Sequence, residues 1–263
     1  MSSDEYPLID AKDHGAVSLF EPENLLREAR RQRDLPTAAV PRACLLDPDG
    51  DIVRHLAAGP GRRHAGWACY HTEMWVTDLD GVEIGVVGMA VGAPFAVLVA
   101  EQLAASGAEL VISITSAGQI ASLPTVPCFV LLERALRDEG TSAHYLPPAR
   151  WSNLDAGLLT RLAGAFDHLP GPVLTGASWT TDAPYRETRS AIDAAERAGT
   201  VCVEMEAAGL YAYAAARRHP VVCLAHVTNT MATDGDDFEK GLDNGVHDAL
   251  AVARAVVLAV VVP

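Results

Sequence analysis

Short apolar runs and stretches with helical periodicity alternate along most of the chain. "GVEIGVVGMAV" (81–91), "ELVISIT" (109–115), "CFVLLERAL" (128–136), "PVLTGAS" (172–178), "VCV" (201–203) and "VVCLAHVTN" (221–229) read as strands. They are nearly continuously apolar, as expected of strands buried on both faces. "APFAVLVAEQLAASGA" (93–108), "ETRSAIDAAERAG" (187–199), "EAAGLYAYAAARR" (206–218) and the late apolar run from Ala249 read as helices, with Gly107 as a stop signal. The pattern predicts one α/β domain over residues 41–263, a central mixed, mostly parallel sheet covered by helices. Residues 1–40 form a polar N-terminal arm whose short helix lies in "EPENLLREARRQRDLP" (21–36). The small-residue stretch "SAGQ" (116–119) reads as a turn after its strand.

Charge narrows the partners. With 34 acidic and 20 basic side chains the formal net charge is −14. Such a surface repels phosphate backbones, which argues against nucleic acid or an anionic membrane as partner. The five cysteines (Cys44, Cys69, Cys128, Cys202, Cys223) show no CxxC pair, and three of them sit in apolar runs. They read as buried thiols of a cytoplasmic protein. The N-terminus is too polar for a signal peptide, and the C-terminal apolar run is short and carries Arg254. No histidine or acid spacing suggests a metal site, and the glycines at 85, 88 and 92 miss the dinucleotide-binding pattern.

Four stretches fall at or just beyond strand ends, where α/β proteins gather function: "ITSAGQI", "GASWTTDAPYRET", "VEMEAA" and "HVTNTMATDGDDFEKG". In "VEMEAA", Glu204 and Glu206 stand where a strand becomes a helix. A carboxylate there is favoured by free backbone N–H groups. It is equally suited to accept from two adjacent sugar hydroxyls, since it has two oxygens and only accepts. Met205 offers a flexible apolar wall. Ser116, Ala117 and Gly118 are small enough for a ligand to approach the backbone. Asn229 donates and accepts at once, which suits a ring carbonyl beside a ring N–H, although Asn also favours turns. "HVTNTMATDGDDFEKG" reads as a solvated loop or lid, and His144 as a structural histidine bonded to backbone.

These residues resemble the nucleoside phosphorylase superfamily, which includes uridine phosphorylase, hexameric purine nucleoside phosphorylase and adenosylhomocysteine nucleosidase. "VEMEAAGLYAYAA" is similar to its ribose-binding segment, "GMAVGAPFAVLVAEQLAASGAELVISITSAG" to its glycine-bearing strand, helix and phosphate-side loop, and "RDEGTSAHYLPP" to part of the uridine branch. Glu206 lies 23 residues before Asn229, the family's spacing from ribose glutamate to base-contacting residue. The resemblance implies a three-layer phosphorylase-type α/β fold and cleavage of a nucleoside's N-glycosidic bond. It implies Glu206 and Asn229 as catalytic residues, and Glu206, Met205 and the supporting acid Glu204 on the ribose. Ser113, Ser116 and Gly118 fall on the phosphate or water side, and Ala117, Gly118, Tyr185 and Asn229 on the base. It also implies a homo-oligomer, a dimer or a trimer of dimers, with Tyr70 reaching a neighbouring subunit's site. No cofactor is implied, with inorganic phosphate as the co-substrate of phosphorolysis.

The sequence departs from the family at its phosphate-binding arginines. Ile52, Tyr70 and Ser113 stand at the three positions, in "LLDPDGDIVRHLA", "WACYHTEMW" and "SITSAG". Phosphate favours the guanidinium fork, so their loss leaves three outcomes open. Arg54, Arg134, Arg137 or Arg186 supplies the charge; water replaces phosphate, as in a nucleosidase; or the chain binds nucleosides without turnover. An Asn at position 229 fits a 6-oxopurine or another base offering both a donor and an acceptor.

Overall fold

The computed structural model describes residues 12–229 and 240–262. Helix α1 (Pro22–Arg33) comes first, tucking Leu26 and Ala29 against Ala68. Strand β1 (Ala43–Asp47), buried throughout, leads into α2 (Asp51–Ala58). Strands β2 (Arg62–Arg63), β3 (Met74–Asp78) and β4 (Glu83–Gly88) follow, then α3 (Ala93–Ala105) and β5 (Leu110–Gln119). Next come β6 (Cys128–Asp138), α4 (Ser142–Tyr145), β7 (Trp151–Asn153), α5 (Ala156–Arg161) and β8 (Val173–Thr181). The chain ends with α6 (Arg189–Arg197), β9 (Thr200–Glu204), α7 (Ala207–Arg217), β10 (Val221–Asn229) and α8 (Val246–Val260). Single 3-10 turns lie at Pro184–Arg186 and Leu242–Gly245.

The strand order is β10-β6-β8-β9-β5-β1-β4-β3-β2, and β10 also pairs with β5. Five strands therefore close into a ring, and the remaining strands extend from it as an open wing. The longest ladders, β6 with β8 and β5 with β10, are parallel. The β2–β3 and β3–β4 pairings at the wing's edge, the short β6–β7 pairing, and the β6–β10 and β5–β9 pairings within the ring are antiparallel. Helices α1, α3, α4 and α7 pack as one group, and α2, α5 and α8 as another.

The strand–helix alternation read from the sequence is present, with one informative difference. Residues 116–119 are not a turn: β5 continues through them. Gly118 is opposite Val203 of β9 on one side and Asn229 of β10 on the other. Small side chains there let β5 run on between two partners. Ring closure thus brings together all four stretches that stood apart in the sequence.

Helix α7 is fixed to the sheet by a buried phenol. The Tyr211 hydroxyl donates to the Leu132 carbonyl of β6 and accepts from the Cys223 N–H of β10. Helices α3 and α7 cross closely at Gly209, where a Cβ would stand 2.8 Å from the Ala93 Cβ. That crossing matters because both helices begin at the site described next. Gly209→Val should destabilise the protein by about 1–3 kcal/mol through overpacking, read as a lower urea midpoint. An unchanged midpoint would show that the two helices separate without cost.

Candidate active site

Strand β9 ends at Glu204 and α7 begins at Ala207, so Glu204 and Glu206 flank the strand-to-helix junction. Both are buried, at 3% and 1% exposure. Their surroundings differ. The Glu204 carboxylate accepts from the Ser178 hydroxyl at 2.9 Å, the Thr180 hydroxyl, and the backbone N–H groups of Glu206 and Ala207, each at 2.7 Å. Thr180 Oγ1 in turn accepts from the Ala208 N–H at 3.0 Å. Glu204 and Thr180 thereby satisfy the first free N–H groups of α7, the helix-start role.

Glu206 has a different arrangement. Its Oε1 accepts from the Gly92 N–H at 2.7 Å, at the start of α3. Its Oε2 is sealed from solvent and has no hydrogen-bond partner among the described residues. Gly92 adopts φ 84°, the left-handed region that glycine enters freely, and this conformation helps aim its N–H at the acid. Burial, and then the charge of Glu204, push the Glu206 carboxyl up to about 8. The Gly92 N–H and the nearby Thr115 hydroxyl only partly oppose this. Burial raises Glu204 as well, but four donors pull it back toward the charged form. Of the two, Glu206 is the one that holds the proton.

Facing this pair is the end of β5. Ala117 is buried, and Ser116 and Gly118 are half-buried. Met205 lies half-buried between the two acids. Ser113 is deep in β5, opposite Leu46 and Cys223, and its hydroxyl has no hydrogen-bond partner among the described residues. The Asn229 backbone closes the cluster opposite Gly118, while its side chain and the stretch 230–239 lie outside the described residues.

Other sequence candidates are elsewhere. Tyr185 is fully exposed on the 3-10 turn Pro184–Arg186. Tyr70, 40% exposed, donates to Gln32 at 2.8 Å and packs beside Arg33 of α1. Ile52 is buried within α2. Among the alternative cations, Arg137 is bound to Ser142 and to the Leu146 and Pro147 carbonyls, and Arg134 lies over the Trp151 ring. His144 bonds the Lys12 side chain at 2.6 Å rather than backbone.

Two residues missed in the sequence complete the site. Asp49, in the turn between β1 and α2, accepts from the Ser116 N–H at 3.0 Å and the Ser116 hydroxyl at 2.8 Å. Lys240 sits 3.1 Å from Asp49 and 2.7 Å from Asp51. Arg54 joins them, donating to Asp51 at 2.7 Å and to the Asp49 carbonyl at 3.0 Å. One of three acids in "DPDGD" and a lysine far down the chain carry no sequence signal of their meeting.

Fold and site together define an α/β protein with a partly closed mixed sheet and a buried acid pair at its strand ends. The phosphorylase superfamily model matches residues 48–261, and the chain belongs to that superfamily. A guanosine phosphorylase from Halorubrum lacusprofundi is 28% identical over 173 residues, covering 63% of this chain and 72% of that protein. A solved purine nucleoside phosphorylase from Toxoplasma gondii, in complex with immucillin-H, shares the fold at a TM-score of 0.69 and 16% identity. That match covers 84% of this chain and 90% of the other. Among the described residues, no helix is long and apolar enough to cross a membrane.

The Glu206 environment makes a stability prediction. Its folded-state pKa of about 8 lies above the ordinary value of 4.5, so the folded state binds the extra proton between those limits. Stability from this group is therefore greatest at low pH and is lost as pH rises toward 8. Glu206→Gln removes the loss, so the variant should gain on the parent by up to about 1.4 kcal/mol per pH unit. Urea unfolding at pH 5, 6, 7 and 8 measures it. A difference independent of pH would show that Glu206 is already ionised in the folded protein.

Proposed function

We propose that this protein cleaves the N-glycosidic bond of a purine ribonucleoside of the guanosine type, transferring the ribosyl group to inorganic phosphate. One observation carries the reading: an acid buried to 1% exposure that keeps one oxygen on Gly92 and, among the described residues, has no hydrogen-bond partner for the other. An unpaired buried polar oxygen is costly, and adjacent sugar hydroxyls are the donors that would satisfy it as the carboxyl gives up its proton. Membership of the phosphorylase superfamily and the likeness to a guanosine phosphorylase support the same chemistry.

In this reading Glu206 holds the ribose 2′- and 3′-hydroxyls while Met205 packs on the sugar. Glu204 serves indirectly, fixing the junction so that the Glu206 side chain faces Gly92. The glycosidic bond lengthens toward an oxocarbenium-like state. The end of β5, from Ser113 to Gly118, places the attacking phosphate oxygen beneath the anomeric carbon. The base departs along Ala117, Gly118 and Asn229, whose amide supports the negative charge gathering on a 6-oxopurine. Positioning and fixed dipoles supply most of the barrier reduction. Tyr185 and Tyr70, both exposed here, act in an assembled dimer or trimer of dimers, and the protein works in the cytoplasm.

The test is a panel of nucleosides incubated with and without inorganic phosphate, following free base and sugar product by chromatography. Phosphate-dependent release of guanine with formation of ribose 1-phosphate is expected. Glu206→Ala should lower kcat/KM by about 10²–10³-fold, the range seen when a transition-state contact is lost. Release of free ribose without phosphate, or an active Glu206→Ala enzyme, would overturn the reading.

A further inference from the structure

The Ser116 donors on the phosphate side are engaged by the protein itself. The Ser116 N–H and hydroxyl both point to the Asp49 carboxylate, and the Lys240 ammonium is on the same group. These donors form the set that an oxyanion takes: a backbone amide, a hydroxyl and a cation. Asp49 is not needed to start α2. Asp47 already does that, accepting from the Gly50 N–H at 3.1 Å and the Val53 N–H at 2.9 Å. Asp49 instead reaches across the sheet to β5. Its turn passes through Gly50 at φ 76°, the left-handed region that glycine enters freely.

We propose that Asp49 is an internal competitor for the phosphate site, and that Lys240 with Ser116 forms the anion-binding set that replaces the missing family arginines. The proposal rests on the phosphorolytic reading above and deepens it. In the resting chain, two acids (Asp49, Asp51) balance two cations (Lys240, Arg54). An arriving phosphate takes over the Ser116 donors and Lys240 as the Asp49 side chain turns outward, which its 29% exposure allows. Lys240 keeps its second partner, Asp51, and so stays in place. The consequence is weak phosphate binding, set by competition with a tethered carboxylate rather than by the number of cations.

The experiment measures inorganic phosphate binding by calorimetry and KM for phosphate during guanosine cleavage, on the full chain. Asp49→Ala should bind phosphate at least about fivefold more tightly, with KM for phosphate falling more than KM for nucleoside. Asp49→Asn, nearly isosteric, should move in the same direction. Lys240→Ala should weaken phosphate binding by about tenfold or more, the loss of a charge-assisted contact. Unchanged or weaker phosphate binding in Asp49→Ala would overturn the competitor role and leave Asp49 a structural tie between β5 and the β1–α2 turn. Unchanged binding in Lys240→Ala would overturn the replacement of the arginines. Failure of the phosphorolytic reading shows separately, as base release by the parent protein without phosphate, and calorimetry with phosphate alone still decides the Asp49 claim.

Discussion

Two carboxylates two residues apart cannot both stay charged in an apolar interior unless each is paid for separately, and the organisation of this protein follows from how that conflict is resolved. Glu204 takes four donors from β8 and the start of α7, which oppose the burial that raises its pKa. Glu206 takes one, from the start of α3. The asymmetry favours charge on Glu204 over Glu206 and leaves one Glu206 oxygen without a partner among the described residues. It depends on the backbone around it: the close α3–α7 crossing at Gly209 and the Tyr211 bond to two strands hold both helix starts in place.

Closure of the ring supplies the other half of the site. A β5 that ended at Thr115, as a turn over 116–119 would require, would leave Val203 and Asn229 without their common partner Gly118. By continuing, β5 brings the small residues beside the acid pair and exposes Ser116 to the turn after β1. There the Ser116 N–H and hydroxyl meet Asp49, which Lys240 approaches in turn. A strongly acidic protein would repel phosphate at long range. A short-range donor set with its own internal carboxylate is consistent with that balance.

Much of this was legible in the residues. The buried strands β4, β5, β6, β8, β9 and β10 and the helices between them follow from uninterrupted apolar runs and helical spacing. The importance of "VEMEAA" could be read because two acids in an apolar setting demand partners. Which acid caps the helix and which keeps an oxygen free could not be read, because that depends on Ser178, Thr180 and Gly92, distant in sequence and unremarkable in type. The turn expected at 116–119 failed because small residues serve equally in a tight turn and in a strand squeezed between two neighbours. Strand β1, helix α2 and strand β3 carry little signal, since "ACLLD", "DIVRHLAA" and "MWVTD" are short and contain or end in charges. The Asp49–Lys240 contact joins residues 191 positions apart through tertiary packing alone.

The central claim is that Glu206 waits protonated, with an oxygen reserved for the sugar diol. Titration of guanosine into phosphate-free protein at pH 7, in two buffers of different ionisation enthalpy, tests it most directly. Hydroxyl donors favour the ionised carboxylate, so binding should release a proton, on the order of one per site, from a group resting near pH 8. Binding with no proton released, or with proton uptake, would contradict the assignment of Glu206 as the diol acceptor.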